Sequence, residues 1–346
     1  MASDLLSQVR AQPTALRTID WALESGRIHH AYLFVGPDGV GKELAAFGLA
    51  QALVCERRAE AEAGPGLFGA AEKAPARACG SCSACTRAVP REDTRRPLHP
   101  DVVVIERGLY TPQQLGRRNA ETQDISIDQI RMLVLARSAF APHEGRAKVF
   151  IVRRAEELSV SAANALLKTL EEPGARTHFI LLSAQPEALL PTILSRTQRV
   201  RFAPLPDDVV TELLAAEGVA PARAEEVARL AGGSVEAGVL LADPEESDTR
   251  ERFVESALAA TASPGVEKLL ALAESAKKDK EHLPANIAAL AAALASRASD
   301  AARAGKPEAE ALAIRGRFAL GALEHLAANG AAQLVVEAML TRMRAV

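Results

Sequence analysis

Aromatic side chains are scarce in this chain: one Trp, two Tyr and nine Phe among 346 residues. They form no aromatic–basic stripe of the kind that stacks on nucleic-acid bases, which argues against an independent nucleic-acid-binding module. Neither sign of charge dominates. There are 41 Lys and Arg against 44 Asp and Glu, a formal net charge of −3, so no global field draws the protein onto a polyanion or an acidic lipid surface. No apolar run approaches the roughly 18 residues that a membrane-spanning helix needs, and residues 1–12 carry no signal-peptide pattern. Cysteine stops at four, too few for a disulfide scaffold of this size, which points to a reducing, cytoplasmic setting with the thiols used locally. What is abundant is alanine. The composition is that of an aliphatic, helix-rich protein long enough for two or three domains.

The stretch that organises the chain is 29–42. Tyr32, Leu33, Phe34 and Val35 form a short apolar run typical of a buried parallel strand. Gly36 to Lys42 then reads Gly-Pro-Asp-Gly-Val-Gly-Lys, the phosphate-cradling pattern Gly-x-x-x-x-Gly-Lys up to its last position. Gly36, Gly39 and Gly41 can turn backbone amides toward phosphate oxygens, and Lys42 can reach the terminal phosphates beside a helix N-terminus. The next residue should carry a hydroxyl for magnesium; it is Glu43. A carboxylate there repels phosphate, so the loop argues for the fold and against hydrolysis.

Helices are expected over 13–25, with Leu16, Ile19, Trp21 and Leu23 as its apolar positions, and over 43–57. Residues 57–78, rich in Ala, Gly, Pro and charge, read as a surface insertion. Cys79, Cys82 and Cys85 follow at spacings of three. Such a knuckle brings three sulfurs toward one tetrahedral ion, and Cys55 is the natural fourth ligand. Buried free thiols and a redox pair are the competing readings, and His99 is the alternative ligand should Cys55 not serve. A closed structural zinc site would staple the insertion and do no catalysis.

Further strands are expected at 102–105, 149–152, 179–183 and 200–202, alternating with helices at 127–140, 159–173 and 189–196. That alternation gives an open parallel sheet covered on both faces. The 149–152 strand ends in Arg153 and Arg154, cations where a phosphate-loop ATPase needs carboxylates for magnesium and water; Glu156 and Glu157 lie three residues too late. Pro204 and Pro206 mark a hinge, and residues 243–248 read as an acidic linker. Five helical segments follow, at 249–262, 265–278, 284–304, 308–327 and 331–344.

Several of these stretches resemble the bacterial DNA polymerase III clamp-loader family, and within it the delta-prime type of member. The carriers are the HHAYLF strand with its Gly-Lys loop, the cysteine knuckle, His99-Pro100-Asp101, Ile127 to Arg131, Asn164 to Pro173, and Thr192 to Arg196 with Thr197 where the family has Cys. The similarity runs from about 13 to 240. Family members usually have a much shorter gap before the knuckle.

The resemblance implies an α/β fold: an AAA+ P-loop parallel-sheet domain over 1–203 with the zinc module inserted at 55–85, a small helical lid over 204–245, and an all-helical C-terminal collar over 249–346. It implies a stator. The family's motor subunits hold Thr at Glu43, Asp-Glu at Arg153-Arg154 and a sensor arginine at Glu236, while the trans-acting arginine, Arg196, is kept. Such a subunit supplies an arginine finger to the ATP site of a neighbour during loading of the clamp onto primed DNA. Its own loop (Gly36, Gly39, Gly41, Lys42) holds ATP weakly or not at all. Its implied partners are gamma/tau motor subunits, a delta subunit, the sliding clamp, and DNA only in the assembly, with no membrane. The rivals are an active motor subunit of the same class and a zinc-bearing DNA-binding module.

Overall fold

A computed structural model describes residues 4–58, 77–115, 124–144, 146–280, 282–327 and 330–346. Most of the 57–78 insertion lies outside the described residues. The chain forms two compact units, Met1–Val210 with Gly232–Glu236, and Thr211–Ala231 with Ala237–Val346.

The first unit is built on five parallel strands: β1 (Ala31–Val35), β2 (Val102–Ile105), β3 (Lys148–Val152), β4 (Thr177–Ser183) and β5 (Gln198–Arg201), in the order β2-β3-β4-β1-β5. All five strands expected from sequence are present. β1 is interior, pairing Leu33 with Leu181 on one side and Arg199 on the other. Every residue of β1, β2 and β3 is buried, as their unalternating apolar runs require. Leu33, Phe150, Phe179 and Leu181 meet Ile130, Val134, Leu166 and Ile193 in one core.

Helix α1 (Pro13–Ser25) opens on Pro13 and stops at Gly26, whose φ of 67° suits a left-handed cap. Its buried face is Ala15, Ile19, Ala22 and Leu23, while Trp21 is 57% exposed. Trp21 was expected among the apolar positions; two residues from Ile19, it lies on the opposite face at 100° per residue. Helix α2 (Lys42–Val54) is buried nearly all round. The short α3 (Ser83–Ala88) carries the end of the knuckle. Helix α4 (127–138) starts in a capping box between Ser126 and Gln129 and widens to a π-helix over Ile130–Leu135. Helix α5 (Val160–Glu171), capped by Ser159, and the short α6 (Pro191–Leu194) flank β4 in sequence.

Helices α7 (Asp207–Ala216), α8 (Pro221–Leu230) and α9 (Val235–Ala242) follow. Gly232–Glu236 returns to the first unit: the Leu205 amide donates to Gly233 O (2.9 Å) and the Val235 amide to Gly39 O (3.1 Å).

The second unit holds α8 and most of α7 and α9, and continues with α10 (Pro244–Ala262), α11 (Glu267–Lys278), α12 (Leu283–Arg303), α13 (Ala309–Ala327) and α14 (Ala332–Arg344). The stretch 243–248 is not a linker, because α10 begins at Pro244, a residue pre-set for the first helical position. Phe253, Leu269, Ile287, Leu290, Leu294, Val336, Met339 and Leu340 form the core of α10–α14, with alanines between them allowing close helix approach.

Candidate functional site

The loop after β1 is held by the strand ends around it. Gly36 donates its amide to Ser183 O at 3.3 Å. A Cβ at Gly36 would lie 2.3 Å from Phe202 O, so only glycine fits there. At Gly39 a Cβ would meet Ser234 Oγ at 2.5 Å and the Glu236 amide at 2.6 Å, so the loop tip lies hard against Ser234–Glu236. Lys42 is 6% exposed and turned back on its own loop. Its Nζ donates to Gly36 O (2.6 Å), Pro37 O (2.5 Å) and Asp38 Oδ1 (3.3 Å). Glu43, the next residue, takes a different partner.

That partner is Arg153, at the end of β3. Its guanidinium donates through Nη2 to Glu43 and through Nη1 to Glu106 Oε2 (2.7 Å), and its side chain is 6% exposed. Glu106 also takes a bond from Arg95 Nη2 at 2.9 Å, and the Phe47 ring lies under the Arg153 guanidinium, 5.6 Å from its centroid. The cavity beside the loop measures about 230 Å³ and is walled by charge. Five carboxylates (Asp38, Glu43, Glu106, Glu156, Glu236) face four cations (Lys42, Arg95, Arg153, Arg154). A phosphate chain carrying several negative charges meets an already neutralised wall, in a volume below the roughly 300 Å³ where ligand clefts begin.

The second cluster is sulfur. Cys55 follows α2 directly; Cys79, Cys82 and Cys85 lie on the knuckle and the start of α3. The four Sγ atoms all lie within 4.8 Å of one another, and Cys79 and Cys85 are 3.9 Å apart. Backbone amides point at sulfur in sequence: Cys79 to Cys55, Cys82 to Cys79, and Cys85 to Cys82, each at 3.4 Å. A tetrahedral ion with metal–sulfur bonds of about 2.3 Å has sulfur–sulfur edges of roughly 3.8 Å, so these four residues can hold a metal ion. The hydrogen bond from Cys85 holds the Cys55 thiol far below its usual range, and the same contact pushes Cys85 up. Gln51, fully buried, ties the cluster down by accepting from the Leu5 amide (3.1 Å) and donating to Cys85 O (3.2 Å).

His99 is not in the sulfur cluster. Its Nδ1 accepts from the Asp101 amide (3.1 Å) and its Nε2 faces Glu144 at 3.0 Å. Asp101 in turn accepts from the amides of His143 and Glu144. Arg87 of α3 grips Glu144 through both Nη atoms (2.6 and 2.8 Å) and holds its carboxyl below the usual range. Burial pushes the His99 imidazole down.

Arg196 stands apart from both clusters. It follows α6, whose Ile193 is buried in the core of the first unit. Its Nη1 donates to Thr192 O (3.0 Å) and Ser195 Oγ (3.1 Å), its Nη2 pairs with Glu171 Oε1 (2.5 Å), and its side chain is 33% exposed.

Residues 11–206, more than half of the chain, match the family described as DNA polymerase III, delta subunit. The chain belongs to the DNA polymerase III clamp-loader family. Among curated proteins it is 30% identical over 243 residues to DNA polymerase III subunit delta' of Bacillus subtilis, covering 70% of this chain and 63% of that one. It is 37% identical over 219 residues to the delta' subunit of Pseudomonas aeruginosa, covering 62% and 56%. It is also 34% identical over 209 residues to the gamma/tau subunit of Mycobacterium tuberculosis H37Rv, covering 60% and 30%. In each case the match spans less than two thirds of the relative. A solved gamma subunit-related protein of Thermotoga maritima aligns over 95% of this chain and 98% of its own at 18% identity and a TM-score of 0.44.

The α/β fold of this clamp-loader chain thus brings together Gly36, Gly39, Gly41 and Lys42 on one loop, gathers the four cysteines separately, and leaves Arg196 outside the loop cavity. Sequence reasoning missed Glu106, Gln51 and Glu171. Glu106 had a signal, since it follows a buried strand directly and so lies at the carboxyl edge of the sheet, where sites form. Among the described residues, no helix is long and apolar enough to cross a membrane.

Proposed function

We propose that this chain is a non-hydrolysing, delta-prime-type stator of a clamp loader. In this reading it supplies Arg196 in trans to the ATP site of a gamma/tau-type neighbour while the clamp is loaded onto primed DNA. The observation that carries the reading is the Glu43–Arg153–Glu106 bridge. Magnesium handling needs a hydroxyl after the loop lysine and a carboxylate at the end of β3. Here those two positions carry opposite charges and neutralise each other, so neither offers a ligand to a divalent ion. Lys42, held by its own loop carbonyls, serves as a cap on the loop. Arg196, in contrast, presents a partly exposed guanidinium, whose planar fork suits phosphoryl oxygens.

Cys55, Cys79, Cys82 and Cys85 would hold one zinc ion, which supplies a closed structural cross-link with no exchangeable water. The remaining parts of the chain are read as a lid over 204–245 and a collar over 249–346 that joins neighbouring subunits, including delta.

The test is ATP turnover by the purified chain, alone and mixed with gamma/tau-type subunits. Alone it should show no magnesium-dependent hydrolysis; mixed, it should raise DNA-stimulated turnover. Turnover by the isolated chain would move the assignment to a motor subunit. Salt-dependent binding of primed duplex by the chain alone would move it to a DNA-binding module.

A further inference from the structure

Arg196 is held at three points, and the three are not equivalent. Nη1 is bound to Thr192 O and Ser195 Oγ, groups of its own helical turn. Nη2 forms an ion pair with Glu171 Oε1 at 2.5 Å. Glu171 is the last residue of α5, 25 positions earlier in the chain, and is 48% exposed. A carboxylate and a phosphoryl group ask the same thing of a guanidinium: paired N–H donors aimed at oxygens that carry negative charge. Glu171 therefore places a competing negative charge against the Nη2 group that a phosphoryl oxygen would need. The negative C-terminal end of α5 adds to its hold on the cation.

We infer that Glu171 is a latch on Arg196: a positioning residue that parks Nη2 in the unassembled chain and gives way to a phosphoryl oxygen of the neighbour's nucleotide. This rests on the finger reading above and adds the group with which the nucleotide competes. Nη1 stays on Thr192 and Ser195 and fixes the base of the side chain, so the exchange is confined to one donor face. A buttress would be different, because its carboxylate would stay bound while the finger acts and its loss would weaken the finger. For a latch, loss of the carboxylate removes a competitor. The pair is partly exposed, so the competition is modest, a factor of up to about five, and it fades with salt.

The experiment measures kcat/KM for ATP in the mixed complex, using the full chain as wild type, Glu171→Gln, Glu171→Asp, Arg196→Ala and the double variant Glu171→Gln/Arg196→Ala. The expected result is a rise of roughly two- to five-fold for Glu171→Gln at low salt, shrinking toward wild type as salt increases. Glu171→Asp, which keeps the charge, should return toward the wild-type value. In the Arg196→Ala background, Glu171→Gln should change nothing, which closes the double-mutant cycle on this pair. The latch is overturned if Glu171→Gln leaves turnover unchanged or lowers it while Arg196→Ala still costs activity. It is equally overturned if the gain persists without Arg196. If Arg196→Ala has no effect, the finger reading itself fails and the latch falls with it.

Discussion

At the scale of single residues, Arg153 decides the chemistry of the loop cavity. Its side chain is almost fully buried, and two carboxylates compensate its charge. They are not equal partners. Glu106 is 13% exposed and Glu43 is 46% exposed, so water can replace Glu43 more readily. Removing one partner of a buried ion pair costs about 3–5 kcal/mol when the other is left uncompensated, and a partly exposed partner costs less, about 1 kcal/mol. Glu106→Ala should therefore destabilise by about 3 kcal/mol and Glu43→Ala by about 1 kcal/mol, read from urea unfolding of the first unit's transition. The reverse order would mean that the bridge is organised around Glu43. Lys148 illustrates the same logic in a structural role. It is buried, and its Nζ donates to the carbonyls of Arg137 (2.7 Å) and Phe140 (3.0 Å), closing the C-terminal end of α4.

Three imidazoles, those of His30, His99 and His178, are pushed below their usual range by burial. A histidine with a depressed folded-state pKa binds its proton more readily in the unfolded chain. Its contribution to stability is therefore complete above the unfolded value of about 6.5 and is lost as pH falls below it toward the folded value. Unfolding midpoints should drop between about pH 7 and pH 5, and His99→Gln should flatten that slope. An unchanged slope would show that protonating His99 has no cost where Glu144 faces it.

At the scale of elements, the knuckle and α3 are held against α2 and the 143–144 turn by Gln51, Glu56, Arg87 and the sulfur cluster itself. A structural metal contributes local folding energy outright. Chelation should therefore raise hydrogen exchange in the described residues 77–88 before it reaches β1 or β4, with about one zinc released per chain. Metal-free protein purified without chelator would sink the zinc assignment. The π-helical turn in α4 was not legible in the sequence, where Ile127 to Phe140 has the ordinary helical spacing of apolar residues. Residues 243–248, acidic enough to read as a linker, instead start α10, because Pro244 is pre-set for the first helical position.

At the scale of the whole molecule, the expected division of labour is between Arg196 and Lys42. A finger arginine acting fully is worth roughly 10³–10⁵ in rate, but one finger among several sites in a ring should show a smaller bulk loss. Arg196→Ala should lower DNA-stimulated turnover and clamp loading by the assembled complex while leaving folding and metal content intact. Lys42→Ala should do little to turnover, since the ammonium already spends its donors on Gly36 and Pro37. Abolition of turnover by Lys42→Ala, with Arg196→Ala silent, would reverse the assignment.

The sequence alone determined the elements and much of the family membership. Apolar runs announced four buried strands, Val200 and Phe202 announced the more exposed fifth, the Gly-Lys loop placed one strand at a phosphate-loop turn, and the spacing of Cys79, Cys82 and Cys85 announced a shared site. These are short-range patterns, set by the 2.0 and 3.6 periods of the backbone and by turn chemistry. Only the tertiary structure decided which charges meet. Arg153 joins Glu43 across 110 positions and Glu106 across 47. Those pairs exist because β3 lies beside β2 and its end faces the start of α2, an arrangement fixed by strand order and not by any local motif. The sequence could show that magnesium ligands were missing. That the substituted residues bind each other just after β2 and β3, and that Arg196 rests on Glu171 just before β5 and β4, follows from a fold that brings distant strand and helix ends together.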